Sequence, residues 1–115
     1  MRVVHESGEG ARTLASTVEF AETFREQTLG LMFRESVPED FALVFEFGRA
    51  GWRSIHMLFV RMPLDVLWLV DGEVRQYKTL QPWRGIGLSK ADTVVELPAG
   101  AAEGVTKGDR IRIEE

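Results

Sequence analysis

The chain has 115 residues, 44% apolar and 28% charged, with a formal net charge of −4 and no cysteine. That length supplies one core rather than two, and an acidic chain without a Lys/Arg run argues against a nucleic-acid face. The missing thiols exclude disulfides, thiolate nucleophiles and Cys-based zinc or iron-sulfur sites.

One domain spanning residues 1-115 is expected. Met1-Arg2-Val3-Val4-His5-Glu6 begins neither a signal peptide nor a membrane span of about 20 apolar residues, so the expected location is the cytoplasm, with no membrane partner. His5 falls in a terminal strand. Leu14, Ser16, Val18 and Phe20 then share one face of a strand, with Thr13, Thr17 and Glu19 on the other. Thr23-Phe24-Arg25-Glu26 has the form of a capping box, and Gly30 suits the end of a helix whose Phe24, Thr28 and Leu31 lie along one side. Such a helix lies over the opening of a barrel or sandwich.

Leu43, Phe45 and Phe47 alternate with Val44 and Glu46, which predicts a strand with one wet face. Trp52 to Arg61 forms another, interrupted at Met62-Pro63 because proline has no amide donor. Leu64 to Val70 is continuously apolar apart from Asp65, the pattern of a central strand covered on both sides. Asp71-Gly72 tolerates positive φ in a tight hairpin, and Glu73 to Leu80 returns as its partner. From Gln81 to Asp92 no period is evident, so this segment, with Trp83 and Arg84, reads as a loop able to carry function. A short turn or second helix follows Pro98-Ala99-Gly100 and ends near Gly104; Thr106 to Asp109 turns into a last strand with Ile111 and Ile113 inward. The fold class is mainly β: a compact antiparallel β-barrel or β-sandwich with one or two short helices.

Arg34, His56, Arg61 and Asp65 sit inside stretches otherwise apolar enough to be core, where a charge needs a partner or a purpose. A buried Asp65 needs an arginine or several amide donors. Arg25, Arg34 and Arg61 are available, so the economical expectation is an Arg-Asp pair fixing helix to sheet, with a ligand-facing Asp65 as the alternative. His56 suits proton transfer by its ordinary pKa, although a lone strand histidine is more often merely hydrogen-bonded. In strict alternation His56 and Arg61 lie on opposite faces, so a bulge is needed for them to meet. His5, His56 and the scattered carboxylates show no metal-ligand spacing. Neither Gly8-Glu9-Gly10 nor Gly85-Ile86-Gly87 has the context of a phosphate loop. Trp83-Arg84 offers a ring beside a cation for stacking on a sugar or holding an anion, or else a lid over the core. Glu96, opposite in facing to Val95 and Leu97, is either a solvated strand residue or a partner for Arg84.

These motifs resemble a bacterial and archaeal family known as domain of unknown function 192, also called uncharacterised protein family 0127. The matching pieces are Arg25 with Gly30-Leu31-Met32-Phe33-Arg34, Leu43-Val44-Phe45-Glu46-Phe47, Met57 through Pro63-Leu64-Asp65-Val66, Val95-Glu96-Leu97-Pro98-Ala99-Gly100 and Gly108-Asp109. The resemblance implies a compact β-barrel or β-sandwich with small helices and carries no established activity. Many members have an aromatic-Met-Lys-Asn-Thr stretch before Pro-Leu-Asp, whereas this chain has Ile55-His56-Met57-Leu58-Phe59-Val60-Arg61.

Three functions follow as expectations. The first is noncatalytic binding of a small polar or anionic ligand, for instance carbohydrate-like, by Arg34, His56, Arg61, Asp65, Trp83 and Arg84, with no cofactor and no metal. The second is a hydrolase or lyase using Asp65 with His56 or Glu96 as acid and base. The third is a structural or oligomerisation module pairing through an exposed strand or Leu58-Phe59-Val60. The chain is expected as a monomer or weak homodimer.

Overall fold

The computed structural model describes residues 1–115, apart from the side chain of Phe24. Its elements in order are β1 (Arg2–Ser7), β2 (Gly10–Ala15), β3 (Thr17–Phe20), α1 (Phe24–Leu29), β4 (Phe41–His56), β5 (Leu64–Val70), β6 (Glu73–Leu80), β7 (Ile86–Pro98) and β8 (Arg110–Glu114). They form one open eight-stranded sheet in the order β2-β1-β8-β6-β5-β7-β4-β3. All pairs are antiparallel except β3 on β4. The β6–β8 junction rests on a single residue pair, Glu73 with Arg110, so the sheet folds there and β2-β1-β8 turns back over the rest.

Two cores result, on opposite faces of β5 and β7. Val3, Leu14, Leu67, Val95, Leu97, Ala102 and Ile111 make one; Leu31, Phe41, Phe45, Met57, Val66, Trp68 and Val94 make the other, closed by the segment after α1 and by the turn after β4. This explains the apolar run in β5, which lies between β6 and β7 with Leu64 to Leu69 all buried. The Asp71-Gly72 hairpin has positive φ at both positions, 51° and 79°. In α1, Thr23 accepts from Glu26 N while the Glu26 side chain accepts from Thr23 N, and Gly30 closes the end at φ 51°. The expected facing of Phe24 lies outside the described residues.

Three expectations change. The run Leu14 to Phe20 is two strands: Ser16 and Thr17 each donate both amide and hydroxyl to Asp40, which breaks the chain and starts β3 parallel to β4. Those hydroxyls also hold the Asp40 carboxyl below its ordinary range. Leu43 to Phe47 and Trp52 onward are one strand, β4, with its register shifted between Glu46 and Gly51, and its first half has no wet face because Ala42 and Val44 are as buried as Leu43 and Phe45. That strand ends at His56, short of Arg61. Most of the expected loop from Gln81 to Asp92 is the first half of β7, leaving Gln81 to Gly85 as the loop. The segment after Pro98 is a run of turns, one of the two forms expected there.

The hidden half of β7 has an inverted pattern: Gly87, Ser89 and Ala91 point inward while Ile86 and Leu88 are exposed. The cause is Trp68, whose indole packs against Gly87 and donates from Nε1 to Arg53 O at 2.9 Å. A Cβ on residue 87 would lie 2.5 Å from Trp68 Cη2 and 2.8 Å from Cζ2. Gly87→Ala is therefore expected to destabilise by about 1–3 kcal/mol through overpacking, read as a lower midpoint in thermal denaturation.

Candidate functional site

β7 runs between β4 and β5, and its Glu96 is in register with Leu43 on one side and Val66 on the other. Glu96 therefore shares a face with Val94 and belongs to the helix-covered core. The residue is 5% exposed, and its Oε1 has no hydrogen-bond partner among the described residues. Burial raises its pKa from the ordinary 4.5 to about 7.

Above Glu96 the chain leaves α1 through Gly30, where a β-carbon would lie 3.6 Å from Glu96 Oε1 and 3.5 Å from Phe45 Cζ. Gly30 is needed for its φ of 51°, not for space, since both separations are ordinary contacts. A cavity of about 200 Å³ opens here, lined by Gln27, Thr28, Gly30, Ser54, His56 and Glu96 together with apolar side chains. Ser54 and His56 reach it from the exposed face of β4. His56 Nδ1 accepts from Leu58 N at 3.2 Å, which in the neutral ring puts the proton on Nε2. A second hollow of about 230 Å³ lies on the other side of the Leu29 to Met32 segment, lined by Glu19, Glu26 and Arg34 among others.

Of the residues singled out in the sequence, His56 and Glu96 come together. Arg34 is separated from them by the Leu29 to Met32 segment; it pairs with Glu19 at 3.1 Å and lies 5.5 Å over the Phe41 ring. Arg61 is half exposed, 3.8 Å from Glu35. Trp83 is 49% exposed and meets Phe59 edge to face, so it is no lid over the core, and Arg84 beside it is exposed without an ion pair to Glu96.

Among the described residues Asp65 has no arginine partner, so the expected Arg-Asp pair is not formed. Asp65 is fully buried on the opposite face of the sheet from Glu96, and its partners are hydroxyls and amides. Oδ1 accepts from Thr79 Oγ1 at 2.7 Å, and Oδ2 from Tyr77 OH at 3.2 Å and from Gly100 N and Ala102 N at 2.9 Å. Four donors satisfy the carboxyl, so Asp65 fastens the turn after β7 to β5 and β6 rather than α1 to the sheet. Burial, followed by the nearby Asp65 charge and partly offset by Thr79, raises the Tyr77 phenol. Asp65 with His56 or Glu96 as an acid-base pair is likewise excluded by the intervening sheet. His5 is also structural: its Nε2 lies 2.7 Å from Asp109 Oδ2, which holds that carboxyl low, joining β1 to the turn before β8.

Gln27, Thr28 and Ser54 carry no signal in the sequence, because polar residues on a short helix and on an exposed strand face are unremarkable. The available signal is Gly30 together with an acid in a central strand.

A family model, DUF192, described as Uncharacterized ACR, matches residues 4–113. A UPF0127 protein of Pyrococcus furiosus is 36% identical over 100 residues, covering 82% of this chain and 84% of that one. Another, from Thermococcus kodakarensis, is 33% identical over 85 residues, covering 72% of this chain and 54% of the relative, about half its length. Among solved structures, a protein of Sinorhizobium meliloti named as a candidate transcription regulator superposes with a TM-score of 0.86 at 31% identity, covering 96% of this chain and 91% of the other. A protein of unknown function from Novosphingobium aromaticivorans gives 0.82 at 23% identity, covering 98% and 84%, and shares the fold.

Proposed function

We propose that this chain, which belongs to the DUF192 family, binds a small polar ligand in the cavity floored by Glu96 and does not transform it. The observation that carries this reading is Glu96, a buried acid whose Oε1 has no hydrogen-bond partner among the described residues, in the lining of a hollow large enough for a ligand of a few heavy atoms. A carboxyl left without donors is destabilising, and a ligand hydroxyl or amine supplies the donor that the fold withholds. Gln27, Thr28, Ser54 and His56 add polar groups at the wall, a composition that suits a polyol or sugar-like compound. An acidic floor disfavours the anionic ligand expected from the arginines. Arg61, Asp65, Trp83 and Arg84 take no part in this cavity. The regulator role named for the Sinorhizobium meliloti relative is not adopted, since a net charge of −4 is poorly suited to phosphate neutralisation.

The test is calorimetry and thermal shift with monosaccharides, polyols and amino alcohols on the wild type and Glu96→Gln. At least one compound is expected to raise the melting point of the wild type, with at least tenfold weaker binding to the folded variant. Equal binding to both, or no binding to the wild type, would contradict the proposal.

A second reading has one observation in its favour. Glu96 near 7 and His56 share the cavity, and a general acid or base works best with a pKa close to the operating pH. Hydrolysis of nitrophenyl glycosides or esters that disappears in both Glu96→Gln and His56→Ala is its expected sign; turnover unchanged in either variant excludes it.

A further inference from the structure

Three loops meet at one end of the β4–β7 ribbon, and each holds a large aromatic residue in left-handed backbone: Phe33 at φ 70°, Phe59 at 61° and Trp83 at 68°. For an L-residue that region costs roughly 1–2 kcal/mol, and glycine is the usual occupant. The strain is not repaid by burial. Phe33 is 58% exposed, Phe59 43% and Trp83 49%, and the rings pack on one another in a row with centroids 5.1 and 5.2 Å apart. Leu58, 53% exposed, extends the apolar surface.

The loops beneath are laced together. Phe33 N donates to Phe59 O at 2.8 Å, Trp83 N to Met57 O at 3.0 Å and Met57 N to Gly85 O at 3.0 Å. The rings thus stand on a rigid base that loses little entropy on binding. Two arginines lie next to these rings in the sequence. Arg61 is 52% exposed and pairs loosely with the exposed Glu35 at 3.8 Å, and Arg84 is exposed and forms no ion pair among the described residues. Arg84 thus leaves a cation without an ion pair beside the rings on a chain of net charge −4, and clustered aromatic and arginine side chains are the composition of interface hot spots.

We propose that the Phe33-Phe59-Trp83 row with Arg61 and Arg84 is a docking platform for an acidic segment of a partner protein, which lays apolar side chains against the rings and carboxylates against the arginines. Charge complementarity selects this occupant. A second copy of the chain, docked face to face, would bring Arg61 and Arg84 of both copies together. Single-stranded nucleic acid is disfavoured by the chain's net charge of −4, which repels phosphate.

The test is selection of a random 16-residue peptide display library on the wild-type protein, followed by anisotropy titration of the enriched peptides. Enriched sequences are expected to be acidic with interspersed Leu, Phe or Trp. Trp83→Gly removes a ring and its backbone strain together, so its melting point is expected to hold or rise while affinity falls at least tenfold. Arg61→Glu with Arg84→Glu, both on the surface, is expected to lose the acidic peptides to the same extent. Neutral or basic enriched sequences, no enrichment, or equal binding to these variants would overturn the proposal. So would platform-dependent binding of a 25-nucleotide oligo-dT, or platform-dependent dimerisation in sedimentation, each of which would identify a different occupant.

Discussion

Asp65→Ala is expected to lower the unfolding free energy by about 3–5 kcal/mol, because removing the carboxylate leaves two buried amides and two hydroxyls without their acceptor. The two hydroxyls, Thr79 Oγ1 and Tyr77 OH, can turn toward other acceptors, but Gly100 N and Ala102 N point from a fixed turn into the sheet. Each orphaned buried amide costs about 1–3 kcal/mol. The same turn places Ala102 and Val105 over the core, so loosening it also uncovers apolar surface. Asp65→Asn keeps one acceptor oxygen but turns a donor toward donors, and an intermediate loss of about 2 kcal/mol is expected. Urea denaturation at neutral pH measures all three proteins. A loss under about 1 kcal/mol for the alanine variant would contradict the assignment of Asp65 as the fastener of this turn.

Glu96→Gln has the opposite expected sign. The folded carboxyl titrates at about 7 against 4.5 in its ordinary state, so between those values the folded chain holds a proton that the unfolded chain has released. Stability from this group therefore falls as pH rises through that window, and the loss, about 3 kcal/mol, is complete above pH 7. Glutamine keeps the shape without the charge. The difference in stability between Glu96→Gln and wild type is expected to be near zero at pH 4.5 and about 3 kcal/mol in favour of glutamine at pH 8. Taking the difference removes the contributions of Asp40 and Asp109, whose lowered carboxyls act in the other direction at more acidic pH.

The parts of the fold that were legible in the sequence are those in which local chemistry and tertiary setting agree. The capping box at Thr23, the Asp71-Gly72 hairpin and the doubly covered strand from Leu64 stand as expected. The first half of β7 was illegible because Trp68 requires Gly87 beneath it, and small residues inward with Ile86 and Leu88 outward cancel the usual alternation. The burial of Asp65 was legible but its partners were not, since nothing local distinguishes an arginine from two amides some 35 residues further along. Glu96 failed for a related reason: Val95-Glu96-Leu97 is the pattern of a half-wet strand, and only the passage of Gly30 over it makes the acid a cavity floor. The aromatic row has no local signature, because positive φ is signalled by glycine or asparagine and here falls on phenylalanine and tryptophan.

Glu96 is a buried acid whose Oε1 has no hydrogen-bond partner among the described residues, and it floors the cavity proposed to bind a ligand. The most direct test is a titration of the Glu96 side-chain carboxyl by carbon-detected NMR, assigned with Glu96→Gln. A midpoint near 7 is predicted, as burial requires. A midpoint at the ordinary 4.5 or below would mean that the group is solvated or already paired, and the cavity would lose the feature on which the binding proposal stands.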